Sequence, residues 1–188
     1  MKPRRHKEIL ERYERADDGM IIIDIAAEKV EDLYNYFDKQ SNFLKKDLDE
    51  DLTDYLTESA REIGNESFLI KITLASPIDS AKEEKVRNSF TNYFRYMKEL
   101  ELRKMAGMAR TSLILLTIGL VILTLSILLN QQNEEWNSVI GSVFAEGLTV
   151  AAWVSLWEAL ATFLIQWMPH KKRIALFEKI AESEIRFS

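Results

Sequence analysis

Cysteine, histidine, proline and glycine are all scarce in this sequence. The 188 residues include no cysteine, two histidines, three prolines and six glycines. Without cysteine the chain cannot form a disulfide, a thiolate nucleophile or a cysteine-based metal site. The sequence also lacks a glycine-rich phosphate loop and the H-E-x-x-H and G-x-S-x-G motifs. We therefore predict a protein that is not an enzyme and uses no metal or cofactor; an enzyme based on Asp24, at a strand end, is the open alternative.

Charged residues are missing from one long stretch of the chain. Thr111 to Leu129 carries no charged side chain, and about 20 apolar residues are enough to cross a bilayer as a helix. After the polar segment Asn130 to Ser138, a second apolar run extends from Val139 to Met168. The two runs predict a transmembrane helical hairpin with spans at about 111–129 and 143–168.

Lysine and arginine are missing from the segment between the two runs, whose only charged residues are Glu134 and Glu135. Basic residues instead flank the outer ends of the hairpin, which predicts a multi-pass protein of the cell (inner) membrane with both termini in the cytoplasm. The overall net charge of −5 gives no reason to expect a nucleic-acid partner. The side chains expected to anchor the hairpin at the membrane interface are Arg110, Trp167, His170, Lys171, Lys172 and Arg173.

Short apolar runs before the hairpin predict a small folded domain. Met20 to Ile25 and Phe68 to Leu74 have the pattern of strands, and Glu28 to Phe37 has helical spacing. A second helix is expected to end at Gly64 and Asn65. Ser183 to Phe187 is predicted to form an edge strand that returns to the sheet.

A third helix is predicted to begin with a capping box formed by Ser80 and Glu83. Gly107 is the only helix-disfavouring residue between it and Thr111, so we expect this helix to continue into the first span. Pro169 is expected to end the second span.

The predicted fold class is α+β, with a small cytosolic strand-helix-helix-strand-helix domain fused to a transmembrane helical hairpin. The predicted parts are a charged N-terminal helix at 1–18, the cytosolic α+β domain at 19–104, the hairpin at 105–169 and a cytosolic C-terminal tail at 170–188. The basic residues near the N-terminus, such as Arg4 and Arg5, suit either anionic lipid headgroups or a solvated terminus.

Glu158 is a carboxylate inside the second apolar run. At 1.5 Å per helical residue from Met168, it lies roughly 15 Å from the cytoplasmic boundary, near mid-bilayer. Thr117 and Thr124 lie at a similar depth on the first span. One interpretation is a group that lines an oligomeric ion or proton pathway. The other is a protonated carboxyl that bonds Thr117 or a neighbouring subunit and fixes helix packing.

Small residues recur every three or four positions along the second span, and small residues let membrane helices approach closely. Two tryptophans, four residues apart, lie deep in the same span. Both features predict helix packing and a homo-oligomer. The residues expected in this packing are Gly119, Gly141, Ala145, Thr149, Ala152, Trp153, Trp157 and Ala159.

Asp47, Asp49, Asp51 and Glu58 have the ligand spacing of an EF-hand calcium loop. That loop needs glycine at its sixth position for a sharp turn, and this chain has Leu52 there. The acids are therefore expected on the solvated face of a helix or in its first turn.

The end of the second run carries a further pattern. Trp153 and Trp157 are followed by Trp167-Met-Pro169 and a basic segment. This part of the chain resembles uncharacterised prokaryotic two-span membrane proteins with a Trp-rich last span followed by Trp-x-Pro and a basic stop. The resemblance implies a prokaryotic membrane protein without a defined activity. A basic residue often follows the second tryptophan in those proteins, whereas this chain has Glu158.

Together these features predict a small, non-enzymatic scaffold or sensor in the lipid bilayer. Its cytosolic domain would bind an unidentified protein partner or signal and couple that event to the hairpin. The alternative is an oligomeric ion- or proton-conducting pore or membrane effector that uses Glu158.

Overall fold

A computed structural model describes residues 9–39, 41–43, 45–132 and 139–188, without the side chains of residues 129–132, 139–142, 145 and 166. The chain forms two compact units, residues 1–99 with 173–188, and residues 100–172. Its main elements, in chain order, are β1 (Ile21–Ala27), α1 (Glu50–Ile63), β2 (Phe68–Leu74), α2 (Ser80–Gln132), α3 (Val139–Ala181) and β3 (Glu184–Phe187).

The first unit is built on a three-stranded parallel sheet in the order β1-β2-β3. Ile23, Ile70 and Ile185 are aligned across it, and all three are buried. Continuous apolar runs are typical of parallel strands covered on both faces. The predicted bounds of β2 and the return of the C-terminal strand to the sheet edge are confirmed, whereas β1 begins and ends slightly later than predicted.

Helical stripes complete the core of this unit. Phe90 and Phe94 come from α2, and Phe177 and Ile180 come from the end of α3; all four are buried. Leu56 of α1 belongs to the same cluster. Each of these helices therefore contributes one apolar stripe to a single core.

The predicted helix at Glu28 to Phe37 is wrong. The chain instead makes two short 3₁₀ helices, Val30–Leu33 and Tyr36–Asp38. Tyr34 between them is extended and bridges to Leu48, which interrupts the helical hydrogen bonds. Of the predicted N-terminal helix at 1–18, Ile9 and Leu10 are helical, the next residues form a turn, and residues 1–8 lie outside the described part.

Two predicted helix ends also differ. Asp79, rather than Ser80, caps α2, because its Oδ1 accepts a hydrogen bond from the Lys82 amide at 2.8 Å. Pro169 does not end α3, which continues to Ala181. Proline removes one backbone donor and crowds the preceding turn, but long helices accept this at the cost of a local distortion.

Helix α2 runs from Ser80 to Gln132 without a break, so the predicted continuation of the third helix into the first apolar run is confirmed. Both α2 and α3 contain stretches long and apolar enough to cross a membrane.

In the second unit, the two helices pack through small residues. Ser112, Gly119 and Ser126 are buried at intervals of seven residues along α2, and Ala152 and Ala159 are buried at the same interval along α3. A seven-residue repeat keeps one narrow strip of each helix facing its neighbour. The contact formed by these buried residues is called the seam.

Candidate functional site

The seam between α2 and α3 contains several of the predicted packing residues. A Cβ placed on Gly119 would lie 3.0 Å from Leu156 Cδ2 and 3.3 Å from the Leu156 backbone nitrogen. Ser126 Oγ and Thr149 Oγ1 are 2.7 Å apart, so a hydrogen bond joins the helices. The backbones therefore approach closely only because residue 119 has no side chain. Gly141 and Ala145 were also predicted to take part in helix packing, but the contacts of both residues lie outside the described part of the structure.

The two deep tryptophans do not take part in this seam. Trp153 is 66% exposed and Trp157 is 70% exposed. Such a surface on an isolated hairpin suits lipid or another protein helix. The predicted packing of these tryptophans would therefore require a second chain.

Glu158 lies on the exposed surface of the hairpin, as do Thr117 and Thr124. The hydroxyl of Thr117 donates to the Leu113 carbonyl at 2.8 Å, and the hydroxyl of Thr124 bonds its own helix in the same way. Within the described residues, no hydrogen bond joins Glu158 to Thr117. A single chain therefore leaves the Glu158 carboxyl without the predicted threonine partner.

The helix register nevertheless places Glu158 and Thr117 at one level. Gly119 lies against Leu156, and Ser126 lies against Thr149. Counting along the antiparallel helices from either contact pairs the level of residue 117 with that of residue 158.

One end of the hairpin carries a buried ion cluster that the sequence analysis missed. Glu101 is only 2% exposed. One of its oxygens is 2.9 Å from Lys104 Nζ, and the other is 2.5 Å from His170 Nδ1. Burial alone would raise the pKa of Glu101, but the hydrogen bonds and charges of Lys104 and His170 outweigh it and lower that pKa. His170, predicted as an interface anchor, therefore also joins the two helices.

The other predicted interface anchors are exposed or only partly buried. Arg110, Lys171, Lys172 and Arg173 are exposed, and Trp167 is half-buried with its ring 5.2 Å from that of Phe163. Exposed cations and a partly covered tryptophan suit a membrane interface.

A polar pocket of about 340 Å³ lies in the first unit, between α2 and residues 45–47. Its floor includes Lys46, which is 6% exposed, and Ser89, which is 2% exposed. Lys46 Nζ donates to the Lys39 carbonyl at 2.6 Å and lies 4.6 Å from the ring centroids of Tyr34 and Phe43. Burial lowers the pKa of Lys46.

The hydroxyls of Tyr34 and Ser89, near this pocket, are buried and make no hydrogen bond of normal geometry. The two groups nevertheless lie close enough for Ser89 to act on Tyr34. Burial raises the pKa of Tyr34 to about 12. Buried polar groups in folded proteins are nearly always paired, so each exception needs an explanation. Lys46 and Ser89 do not stand out in the sequence, because a lysine in a polar loop and a serine on a helix normally face water.

A second, more open groove of about 570 Å³ follows the free edge of β3. Arg87 Nε donates to the Ile185 carbonyl at 3.0 Å, and its guanidinium lies 5.2 Å from the Phe187 ring centroid. Covering an edge in this way protects it from pairing with another chain. This arrangement explains the groove as part of the fold.

The acidic segment has a structural role at the start of α1. Asp49 caps the helix by accepting hydrogen bonds from the amides of Asp51 and Leu52. Burial, and then the nearby charge of Asp38, raise the pKa of Asp47. Within the described part of the chain, no group of three or more histidine, aspartate or glutamate side chains is placed to hold a metal ion.

Comparisons with protein-family models, with curated proteins and with solved structures find no match to this chain.

Proposed function

We propose that the protein is a two-span integral membrane protein of a prokaryotic inner membrane and acts as a sensor or scaffold. Its cytosolic α+β domain binds a ligand or partner, and binding changes the arrangement of the membrane hairpin.

The observation that carries the proposal is the pairing of β3 with β2. Ile70 and Ile185 are register partners, although both long apolar helices lie between them in the sequence. Strands of one sheet must lie on the same side of a bilayer. If one of the two helices crosses the membrane, the other must cross it in the opposite direction.

Helix continuity supports the coupling. Phe90, in the core of the first unit, and Gly119, at the hairpin seam, belong to one unbroken helix. Phe177 and Ala159 also belong to one helix, α3, but Pro169 between them removes one backbone donor, so α2 provides the stiffer connection. A hydrogen-bonded helix is stiff over these lengths. A movement of the buried helix face that contains Phe90 is therefore expected to tilt or rotate the apolar span of the same helix.

Topology is tested with single cysteines, since the chain contains none of its own. Glu58→Cys and Glu182→Cys occupy exposed positions in the first unit. In intact cells, we expect both to resist a membrane-impermeant maleimide and to react after permeabilisation, while Glu134→Cys reacts in intact cells. Labelling of positions 58 and 182 from opposite sides would refute the two-span proposal.

Coupling is tested by hydrogen exchange across residues 101–110 in protein held in lipid nanodiscs. An uninterrupted helix predicts slow exchange throughout this segment. Ala106→Pro provides an interrupted comparison. Exchange that is equally rapid in both proteins would remove the basis for mechanical coupling.

The second candidate function is an oligomeric pore or membrane effector, and the exposed position of Glu158 favours it. All copies with one topology hold Thr117 and Glu158 at the same depth. A protonated Glu158 of one copy could then donate to the Thr117 hydroxyl of the next, since that hydroxyl uses its proton on Leu113 but retains lone pairs. An unpartnered charge at mid-bilayer would cost about 2.5 kcal/mol or more.

This candidate predicts ion flux in liposomes containing the wild-type protein. Glu158→Gln should reduce the flux or change its selectivity, whereas Glu146→Gln, nearer the predicted outer boundary, should not. Mixed Thr117→Cys and Glu158→Cys chains should also form disulfide-linked dimers on oxidation. Cross-linked dimers without flux would support the oligomer and exclude a constitutive pore.

A further inference from the structure

We propose that the pocket between α2 and residues 45–47 binds a small organic anion, which pairs with the Lys46 ammonium and accepts a hydrogen bond from the Ser89 hydroxyl. The inference rests on the proposed function, because it names the ligand class that the cytosolic domain of such a sensor would take.

The first argument is the buried, unpaired charge of Lys46. Among the described residues, no carboxylate lies within ion-pair distance of this ammonium. The charges of Glu31 and Asp38 act on Lys46 from beyond ion-pair distance. Glu31 is instead 3.3 Å from Lys82 Nζ. Lysines are almost never fully buried unless paired. One carbonyl and two aromatic faces offset part of the desolvation cost but supply no counter-charge.

The second argument is the Ser89 hydroxyl, which lines the same pocket and is buried. The Tyr34 hydroxyl is close enough to interact with it, but neither oxygen makes a hydrogen bond of normal geometry. A hydroxyl in this position can donate to an anionic oxygen that is also held by Lys46. One ligand group would therefore satisfy both an unpaired charge and a donor without a normal hydrogen bond.

The rest of the pocket restricts the ligand. Ser89, Asn92, Tyr93 and Tyr96 follow one face of α2 at helical spacing and form one wall. Tyr96 is 54% exposed and offers its ring to a planar apolar body. A pocket of about 340 Å³ is at the small end of the range for small-molecule sites.

The charged side chains that line the pocket also restrict the charge of the ligand. Lys45 and Lys46 carry positive charge into the pocket, and Asp47 carries one negative charge. The two positive charges outnumber the single carboxylate, so the pocket favours an anionic group that carries one or two negative charges. A single carboxylate or phosphate-type group on a small ring fits this balance.

The test is isothermal titration calorimetry on the full chain in nanodiscs at constant ionic strength. Benzoate and phenyl phosphate are the anionic probes, and they separate carboxylate from phosphate recognition. Benzyl alcohol is the neutral probe of similar size. We expect saturable binding of at least one anion and none of the neutral probe.

Variants locate the binding. Ser89→Ala should weaken binding about tenfold, as expected for a lost hydrogen bond to a charged group. Lys46→Met should abolish binding while it retains an apolar stem, and circular dichroism checks its fold. Lys85→Met, which removes an exposed lysine from the same helix, is the matched control and should bind like the wild type.

Absence of saturable binding by both anions would overturn the inference. So would binding that Ser89→Ala leaves unchanged, which would make Lys46 a clamp for its loop rather than a ligand group. If Lys46→Met fails to fold, the Ser89→Ala comparison decides alone. The cysteine-labelling experiment is independent, so a failure here with the expected labelling would leave the two-span proposal intact and exclude only this ligand class.

Discussion

Replacing Gly119 with isoleucine should separate the two helices of the hairpin. A Cβ at this position lies 3.0 Å from the Leu156 side chain and 3.3 Å from its backbone nitrogen. Carbon atoms pack best at about 3.5–4.0 Å, so even one methyl group is roughly half an ångström or more too close. The Leu156 side chain can rotate away from a methyl group, but its backbone nitrogen cannot.

The two contacts predict different effects for small and large side chains. Gly119→Ala gains about 1 kcal/mol of helix propensity, which should offset much of the cost of moving the leucine. Gly119→Ile places further carbons toward the backbone of α3, and overpacking of this kind typically costs about 1–3 kcal/mol. That range corresponds to a decrease of roughly 5- to 150-fold in the population of the closely packed pair.

Disulfide formation across the seam measures this separation. Ser126→Cys with Thr149→Cys replaces two oxygens that are 2.7 Å apart, and a disulfide needs Cβ atoms about 3.5–4.5 Å apart. Free thiols are counted with a polyethylene-glycol maleimide after timed oxidation. Oxidation should be rapid with Gly119 or alanine and much slower with isoleucine.

Gly107→Ile is the matched control for this experiment. Gly107 also lies in α2, but a Cβ added there meets nothing within 4 Å. The control should therefore oxidise like the parent protein. Equal oxidation rates for the two isoleucine variants would refute the close approach at Gly119.

Three further predictions concern stability. A double-mutant cycle of Ser126→Ala and Thr149→Val, measured by steric trapping in bicelles, should give a coupling free energy of about 0.6 kcal/mol, the average for hydrogen bonds between membrane helices; a coupling of zero would exclude a stabilising bond. Because the folded-state pKa of Glu101 is lowered from 4.5, its stabilising contribution should be fully present above that value and be lost as pH falls through the lowered pKa. Thermal unfolding between about pH 3 and pH 6 should show this loss in the wild type and less of it in Glu101→Gln, and identical pH profiles would contradict the assignment. Phe94→Ala should reduce the free energy of unfolding of the first unit by about 3–5 kcal/mol in urea titrations, since Phe94 is fully buried; a reduction below about 1 kcal/mol would show that this core is loosely packed.

Strong periodicity made part of the fold predictable from the sequence. The alternation of Phe68, Ile70 and Ile72 predicted β2 with its correct bounds. The absence of a breaker between Ser80 and Thr111 predicted the long continuous helix. In both cases one local signal extends over many residues, and no tertiary contact opposes it.

Short segments were predicted less well because tertiary contacts override local preference there. The helical spacing around Tyr34 was outweighed by its bridge to Leu48 and its burial against Phe43. Pro169 failed to end α3 because Phe177 and Ile180 beyond it bury in the core and favour continued helix. Asp79 competed with Ser80 for the helix cap, and two adjacent capping residues cannot be distinguished by sequence alone.

The candidate pocket could not be predicted from spacing. Lys46 and Ser89 are far apart in the sequence, and each is ordinary in its local context. Only the folded chain shows that both are buried around the same space. By contrast, Glu158 could be identified from the sequence, because it is a charged residue within a long apolar run.

The position of β3 after both apolar helices in the chain has a consequence for biosynthesis. At about 5–20 residues per second, several seconds pass between synthesis of β2 and synthesis of its last partner strand. During that interval, the edge of β2 that faces away from β1 has no neighbouring strand. This edge becomes paired only when Ile185 of β3 reaches the same compartment as Ile70. In the proposed two-span topology, failure of the second apolar helix to return across the bilayer would leave β3 on the far side and β2 open to proteases and chaperones. Pairing of β3 with β2 would then occur only in chains whose two helices had both been inserted.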